Sequence, residues 1–162
     1  MSNIFNKTFE ILSSQKLKVV NKDTNRPWGG FFVVSEDNAQ YFSNIYFNGL
    51  NIEDLKVSGK LSPKILIIAP NKRLSWQYHH RRSEIWRVIK GEIKVVTSHD
   101  DIERKDEILR EGDEISLFKG ERHRIIGLEE YSVVAEIWIH TDKDNPSDEN
   151  DIVRVQDDYD RK

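Results

Sequence analysis

The chain has 162 residues, 37% of them apolar and 33% charged, with a net charge of −3. That is one domain's worth of chain, able to bury a core of its own, and its interspersed charges argue against nucleic acid as the main partner. Cysteine is absent, which excludes disulfides, thiolate chemistry and Cys-type zinc sites and leaves His, carboxylate and amide oxygen as metal ligands.

Residues 1–25 form an N-terminal arm in which FNKTFEILS reads equally as a short helix or an edge strand. No apolar stretch follows a basic one there, so no secretory signal is expected and cytoplasm is the default compartment. The longest apolar run is ILIIA at 65–69, too short to span a membrane. From residue 30 onward, short runs rich in Val, Ile and aromatics recur: GFFVVS (30–35), YFSNIYF (41–47), KILIIA (64–69), SWQYHH (75–80), EIWRVIKG (84–91), EIKVVT (92–97), EISLF (114–118), HRIIG (123–127) and YSVVAEIWIH (131–140). Spacers such as SGKLSP, APNK, KGE and EGDE separate them. Many short strands with turn residues between them predict an all-β sandwich or barrel. The tail from Thr141 is acidic and turn-rich, with apolar anchors at Ile152, Val153 and Val155.

One stretch, SWQYHHRRSEIWRVIKG at 75–91, carries two adjacent histidines. On a strand, Ser75, Gln77 and His79 share one face and Trp76, Tyr78 and His80 the other, so the two histidines cannot enter one pocket. Glu84 and Gly91 follow, and a second segment supplies Gly112, Gly120 and His123. This pair of segments resembles the two motifs of the cupin superfamily, double-sheet jelly rolls that hold a metal between their sheets; Phe118 stands where the second motif usually has Pro. The first motif's His-x-His element fits in two registers, Gln77 with His79 or Tyr78 with His80. Tyrosine must lose a proton of pKa about 10 to bind a divalent ion, whereas a Gln carbonyl binds without titrating. The expected ligands are therefore Gln77, His79, Glu84 and His123. His80 is read as an outer or surface residue; His99 and His140 are assigned no role.

Three further segments narrow the likeness: RPWGG at 26–30, QYHHRRSEIW at 77–86 and DENDIVRVQDDYDR at 148–161. They resemble the type II phosphomannose isomerase domain, a cupin often fused behind mannose-1-phosphate guanylyltransferase. That family carries Arg-Pro-Trp-Gly, then Gln-x-His-His-His-Arg-Ser-Glu-His-Trp, then Glu-Asp-Asp-Ile-Val-Arg with a closing Asp-x-Tyr-Gly-Arg. The likeness runs from Arg26 to Arg161. Arg81 and Ile85 stand where the family has histidines, Asp160 stands for a Gly, and the segment around 38–60 is longer than the family requires. Nothing in the chain resembles the nucleotide loop of the transferase half, so a stand-alone cupin is expected.

The resemblance implies a cupin jelly-roll barrel, a double-stranded β-helix over 26–141, with the arm and a C-terminal segment, 142–162, packed on it. It implies an aldose–ketose isomerase converting mannose 6-phosphate to fructose 6-phosphate at a divalent ion, zinc first, with manganese, cobalt, nickel and iron as alternatives. Glu136, a carboxylate in an apolar strand, is the expected base, and burial would raise its pKa; pairing with Arg87 or Arg124 is the competing fate. Arg154 is expected to point towards the site. Arg26 and Arg82 are candidates for the substrate phosphate, since guanidinium suits forked phosphate contacts. Two other readings stay open. One is a non-catalytic sugar or sugar-phosphate binding cupin, which Arg81 and Ile85 favour. The other is oxygen chemistry at iron, which calls for more imidazole ligation than this set provides. The expected partner is a small sugar phosphate, and strand edges leave room for a homodimer.

Overall fold

The computed structural model describes residues 3–57 and 59–161. Two antiparallel sheets dominate. The strands are β1 (Val19–Arg26), β2 (Gly29–Val34), β3 (Lys64–Ile68), β4 (Trp76–Tyr78), β5 (Arg82–Lys90), β6 (Ile93–Ser98), β7 (Lys105–Leu109), β8 (Glu114–Leu117), β9 (Arg122–Gly127), β10 (Ser132–His140) and β11 (Val153–Gln156). One sheet has the order β1-β2-β3-β10-β5-β8 and the other β11-β4-β9-β6-β7. The all-β cupin class expected from the sequence is the class observed.

The six-stranded sheet has two covered faces, and its sequence reflects this. All five residues of β3, KILII, are buried, which is why that run is continuous rather than alternating. On its outer face Phe32, Ile65, Ile67, Ala135 and Ile137 pack against Phe5 and Leu12 of α1 (Asn3–Ser14) and Phe42 and Tyr46 of α2 (Ala39–Tyr46). On its inner face Phe31, Leu66, Ile68, Val88 and Val134 meet Ile93, Val95, Leu109 and Ile125 of the second sheet.

The arm resolves into helix α1 followed by β1, a strand that crosses the boundary drawn at residue 25 and ends at Arg26. YFSNIYF, expected as a strand, is instead the body of α2. Ala39, Phe42, Ser43 and Tyr46 are its buried residues, an i, i+3, i+4, i+7 stripe that becomes visible only when the window starts two residues earlier. β1, β7 and β11 were not anticipated. β1 and β7 lie at sheet edges, their residues exposed or half-buried except Leu109 and several of them charged, as suits edge strands. The C-terminal segment supplies β11, which pairs with β4 and places Arg154 opposite Gln77.

Gly29 shows why RPWGG reads as it does. Its φ is +140°, and a Cβ there would lie 1.9 Å from the Ile67 carbonyl oxygen, so no side chain fits where β2 lies against β3. Among the described residues no helix is long and apolar enough to cross a membrane.

Candidate metal centre

Three side chains from the two sheets converge between them. Glu84 projects inward from β5, His123 from β9, and His79 from just after β4, and all three are buried. Gln77 and His123 are cross-strand neighbours, and the two-residue period of β4 carries His79 to the same side as Gln77. His80 is exposed and stacks edge-on with Tyr78. The alternation argument therefore separates the two histidines as expected.

Each imidazole is fixed by a carbonyl. His79 Nδ1 lies 2.7 Å from the Asp151 carbonyl oxygen and His123 Nδ1 lies 3.0 Å from that of Glu121. A carbonyl only accepts, so both Nδ1 atoms carry the protons and both Nε2 atoms present lone pairs. Those lone pairs face each other across 3.2 Å, with Glu84 Oε1 3.2 Å from His79 Nε2 and Oε2 3.8 Å from His123 Nε2. Three acceptors meeting in a buried space call for a cation. Two bonds of about 2.1 Å to one ion, at an angle near 100°, put their donor atoms about 3.2 Å apart, so the set fits a divalent metal. Gln77 lies at the rim, its Nε2 3.5 Å from His79 Nε2 and its carbonyl accepting from Ser75 Oγ at 2.5 Å. Rotating that amide by half a turn would bring its oxygen to the cluster, and Ser75 Oγ could then accept from the NH2 group.

The charge states suit ligation. Burial pushes Glu84 upward, but the charges beside it, the Arg82 guanidinium first, outweigh it and hold its pKa well below the usual carboxylate value. Burial pulls His123 down to about 4, with Glu84 opposing, so it is neutral and available near pH 7.

Arg82, expected at the phosphate, sits elsewhere in the site. It lies two residues before Glu84 on the same face of β5 and is buried. Its Nε donates to Glu84 Oε1 at 2.8 Å, and its Nη1 to Ser147 Oγ at 2.9 Å and the Asp148 carbonyl at 3.1 Å. Nη2 lies 3.2 Å from His79 Nε2, and the guanidinium stacks 3.6 Å from the Trp138 ring. Arg82 therefore props the ligands. A long side chain on the inner face next to Glu84 meets that carboxylate before it meets the cleft mouth.

Glu136 lies beside this cluster. It pairs across the ladder with Trp86, as Trp138 pairs with Glu84. Trp138 Nε1 donates to Glu136 Oε1 at 2.7 Å, and Trp86 Nε1 lies 2.9 Å from both Glu136 Oε2 and Glu84 Oε2. Burial and the neighbouring Glu84 charge raise the Glu136 pKa to about 8. Arg87 and Arg124 hydrogen-bond elsewhere, to Glu114 and to Glu103 and Gln156 respectively.

Gln77, Glu84, His123 and Glu136 open onto one cleft of about 500 Å³, which Arg26, Arg82 and Arg154 also line. The structure thus brings every expected site residue to one place, with His79 just behind the surface at 2% exposure. The two residues that stand where the family has histidines lie outside it. Arg81 pairs with Asp148 and Asp151 at 3.6 and 3.9 Å, and Ile85 packs into the helix-side core.

Sequence reasoning missed four residues. Asp151 accepts the backbone N–H groups of His80 and Arg81 at 2.9 Å each and the Ser147 hydroxyl at 2.6 Å, while its carbonyl holds His79. Ser147 N–H in turn donates to Nδ1 of the buried His140 at 2.9 Å. Lys64, also buried, lies opposite Glu136 on β3. The only sequence signal for Asp151 and Ser147 was their place within or beside the DENDIV segment.

The family model for the mannose-6-phosphate isomerase C-terminal domain matches residues 36–157. The chain belongs to that family. No curated protein matches it. Among solved structures it is similar to CapF, determined with the inhibitor 3-isopropenyl-tropolone, at 15% identity over 84% of this chain and 34% of CapF, with a TM-score of 0.59. It is similar to Peruvianin-I, a cysteine peptidase from Thevetia peruviana latex, at 17% identity over 60% of this chain and 57% of that one, with a TM-score of 0.50. It is also similar to the DMSP lyase DddQ from Ruegeria pomeroyi, at 16% identity over 59% of this chain and 43% of that one, with a TM-score of 0.46. The chain therefore spans between a third and three fifths of the length of these proteins. CapF and Peruvianin-I support the fold alone. Membership of the mannose-6-phosphate isomerase family rests on the match that takes in both metal motifs and the DENDIV segment.

Proposed function

We propose that this protein is a metal-dependent sugar-phosphate isomerase that interconverts an aldose phosphate and its ketose, with mannose 6-phosphate and fructose 6-phosphate as the first pair to test. The observation that carries this reading is the buried Glu136 carboxyl, fixed by two indole N–H groups, beside a buried His–His–Glu cluster in a cleft lined by guanidinium groups. A divalent ion held by His79, Glu84 and His123, with Gln77 as fourth ligand, would polarise the substrate carbonyl and offset the charge that develops on its oxygen.

The chain's own groups supply the rest. Glu136 in its carboxylate form takes the carbon-bound proton next to the carbonyl and returns it to the neighbouring carbon. A base with pKa near the working pH is suited to both transfers. The two indole N–H donors fix the orientation of its carboxyl. Arg82 and Asp151 position the ligands, and Arg26 and Arg154 bring positive charge to the cleft for an anionic substrate. Because the active form is the carboxylate, kcat/KM is expected to rise with pH and then level off, at a pH that an ion offsetting the Glu84 charge would bring below about 8.

A second reading is a binding cupin that holds a sugar phosphate without turning it over. Its support is Arg82, whose guanidinium donates to Glu84 and faces the His79 lone pair a metal would use. A coupled isomerase assay on protein reconstituted separately with zinc, manganese and cobalt decides between them. Turnover of mannose 6-phosphate that disappears in Glu136→Gln supports the isomerase. Metal-dependent binding with no turnover under any metal supports the binding cupin.

A further inference from the structure

Among the described residues Lys64 is the one lysine that lines the cleft, and its side chain is 7% exposed. Its ammonium lies 4.4 Å from the Trp138 ring centroid and 4.8 Å from that of Phe31. Its ionic partner is Glu149, which reaches in from the C-terminal segment with a side chain 57% exposed. Arg26, Arg154 and Arg161 line the same cleft. The Arg154 guanidinium has its pKa lowered first by burial and then by Arg161, while Asp157 opposes, and Arg26 adds to the lowering; these cations are close enough to repel. Asp23 holds Arg26 at 2.9 Å and Asp157 holds Arg161 at 2.8 Å, so with Glu149 three carboxylates meet these four cations. A phosphate dianion, with two charges and three acceptor oxygens, can engage the ammonium and a neighbouring guanidinium together, where the single Glu149 carboxylate reaches the ammonium.

From these observations we infer that Lys64, with Arg26 and Arg154 beside it, is the receptor for the phosphate of the substrate, and that Glu149 is a resident stand-in which the phosphate displaces. The inference rests on the isomerase reading for the identity of the substrate and assigns its anionic end. Strand spacing supports the placement. β3 and β5 both flank β10, so Lys64 stands two strand spacings, about 10 Å, from the strand that carries Glu84. A sugar whose carbonyl lies at the metal cluster would thus carry its phosphate at the far end of its carbon chain. Burial between aromatic faces keeps the ammonium in place, whereas exposure lets Glu149 swing out.

The test is calorimetric titration of inorganic phosphate into the wild type, Lys64→Met, Glu149→Gln and His79→Ala, with zinc titrated separately into each. The inference expects Lys64→Met to weaken phosphate binding at least tenfold and Glu149→Gln to tighten it at least threefold. Zinc affinity should be unchanged in both, and phosphate affinity unchanged in His79→Ala. Methionine keeps the length and apolar stem of lysine; should it misfold, Glu149→Gln, at an exposed position, still decides. Unchanged or weaker phosphate binding in Glu149→Gln overturns the stand-in and makes the Lys64–Glu149 pair a simple latch. Phosphate affinity lost in His79→Ala but kept in Lys64→Met places the anion on the metal and overturns the receptor. The two readings fail separately. Phosphate binding with this pattern but no turnover of mannose 6-phosphate sinks only the isomerase, and turnover with the opposite binding pattern sinks only the receptor.

Discussion

The two faces of β10 are equally buried and chemically opposite. Val133, Ala135 and Ile137 face the helices and are 0–5% exposed; Val134, Glu136, Trp138 and His140 face the other way and are 0–5% exposed as well. On the helix side, burial is stabilising because every neighbour is apolar and there is nothing to satisfy. On the cleft side, the titratable groups have named partners: two indoles for Glu136, Ser62 and Ser147 for His140. Burial of that second kind costs stability unless the hydrogen bonds are complete. A strand that alternates between the two shows where the fold is maintained and where its chemistry is held.

The first way to break this comparison is on the apolar side. Ile137→Ala should destabilise the protein by about 2–5 kcal/mol, read as a shift in the urea midpoint, while zinc affinity in the folded protein changes by less than about threefold. A large loss of affinity would mean that the two faces are not independent. Next is Asp151→Ala, which keeps the backbone carbonyl that holds His79 but removes the carboxylate that ties that segment to the His80 and Arg81 N–H groups and to Ser147. With the carbonyl less firmly placed, metal affinity should fall by about 10-fold, the low end of the cost of disturbing an outer-sphere contact, as measured by competition with a chromophoric chelator.

The polar face should also respond to pH. Burial, with Arg82 nearby, lowers His140 to about 4, against about 6.5 in an unfolded chain. Between those values the unfolded state binds the extra proton, so this contribution is complete above pH 6.5 and is lost as the pH falls towards 4. His123 behaves in the same direction. With a chelator present, Glu136 opposes them above about pH 4.5, because its raised pKa makes the folded state hold a proton that the unfolded chain releases. Unfolding free energy should still drop by roughly 2–3 kcal/mol over that window, and His140→Gln should remove most of the slope. The smallest effect is expected at Arg81→His, which restores the family's residue at a position facing Asp148 and Asp151 rather than the cleft. Metal affinity should move by less than about threefold; a larger gain would show that the third histidine of the family reaches the ion.

Much of this was legible in the sequence because strand chemistry is local. Alternation separated His79 from His80, and two motifs in the right order named His79, Glu84 and His123. α2 was misread because its stripe starts at Ala39, outside the aromatic run that attracted the strand assignment. Asp151, Lys64 and His140 were not legible for a different reason. Asp151 acts on residues 70–72 positions away, and Lys64 owes its setting to Glu149, 85 positions on. No short window contains both halves of such a contact. Arg82 was expected at the phosphate because its residue type suits that anion; its register on β5, which no residue type reveals, turns its Nε to Glu84.

The central claim is that the His79–Glu84–His123 cluster is a metal site. Its most direct test is zinc, manganese and cobalt titration of the wild-type protein and His79→Ala, with both checked for native secondary structure. The account predicts one ion per wild-type chain and at least a hundredfold weaker binding in the mutant. Equal affinity in the two proteins, or no binding by the wild type, would contradict it.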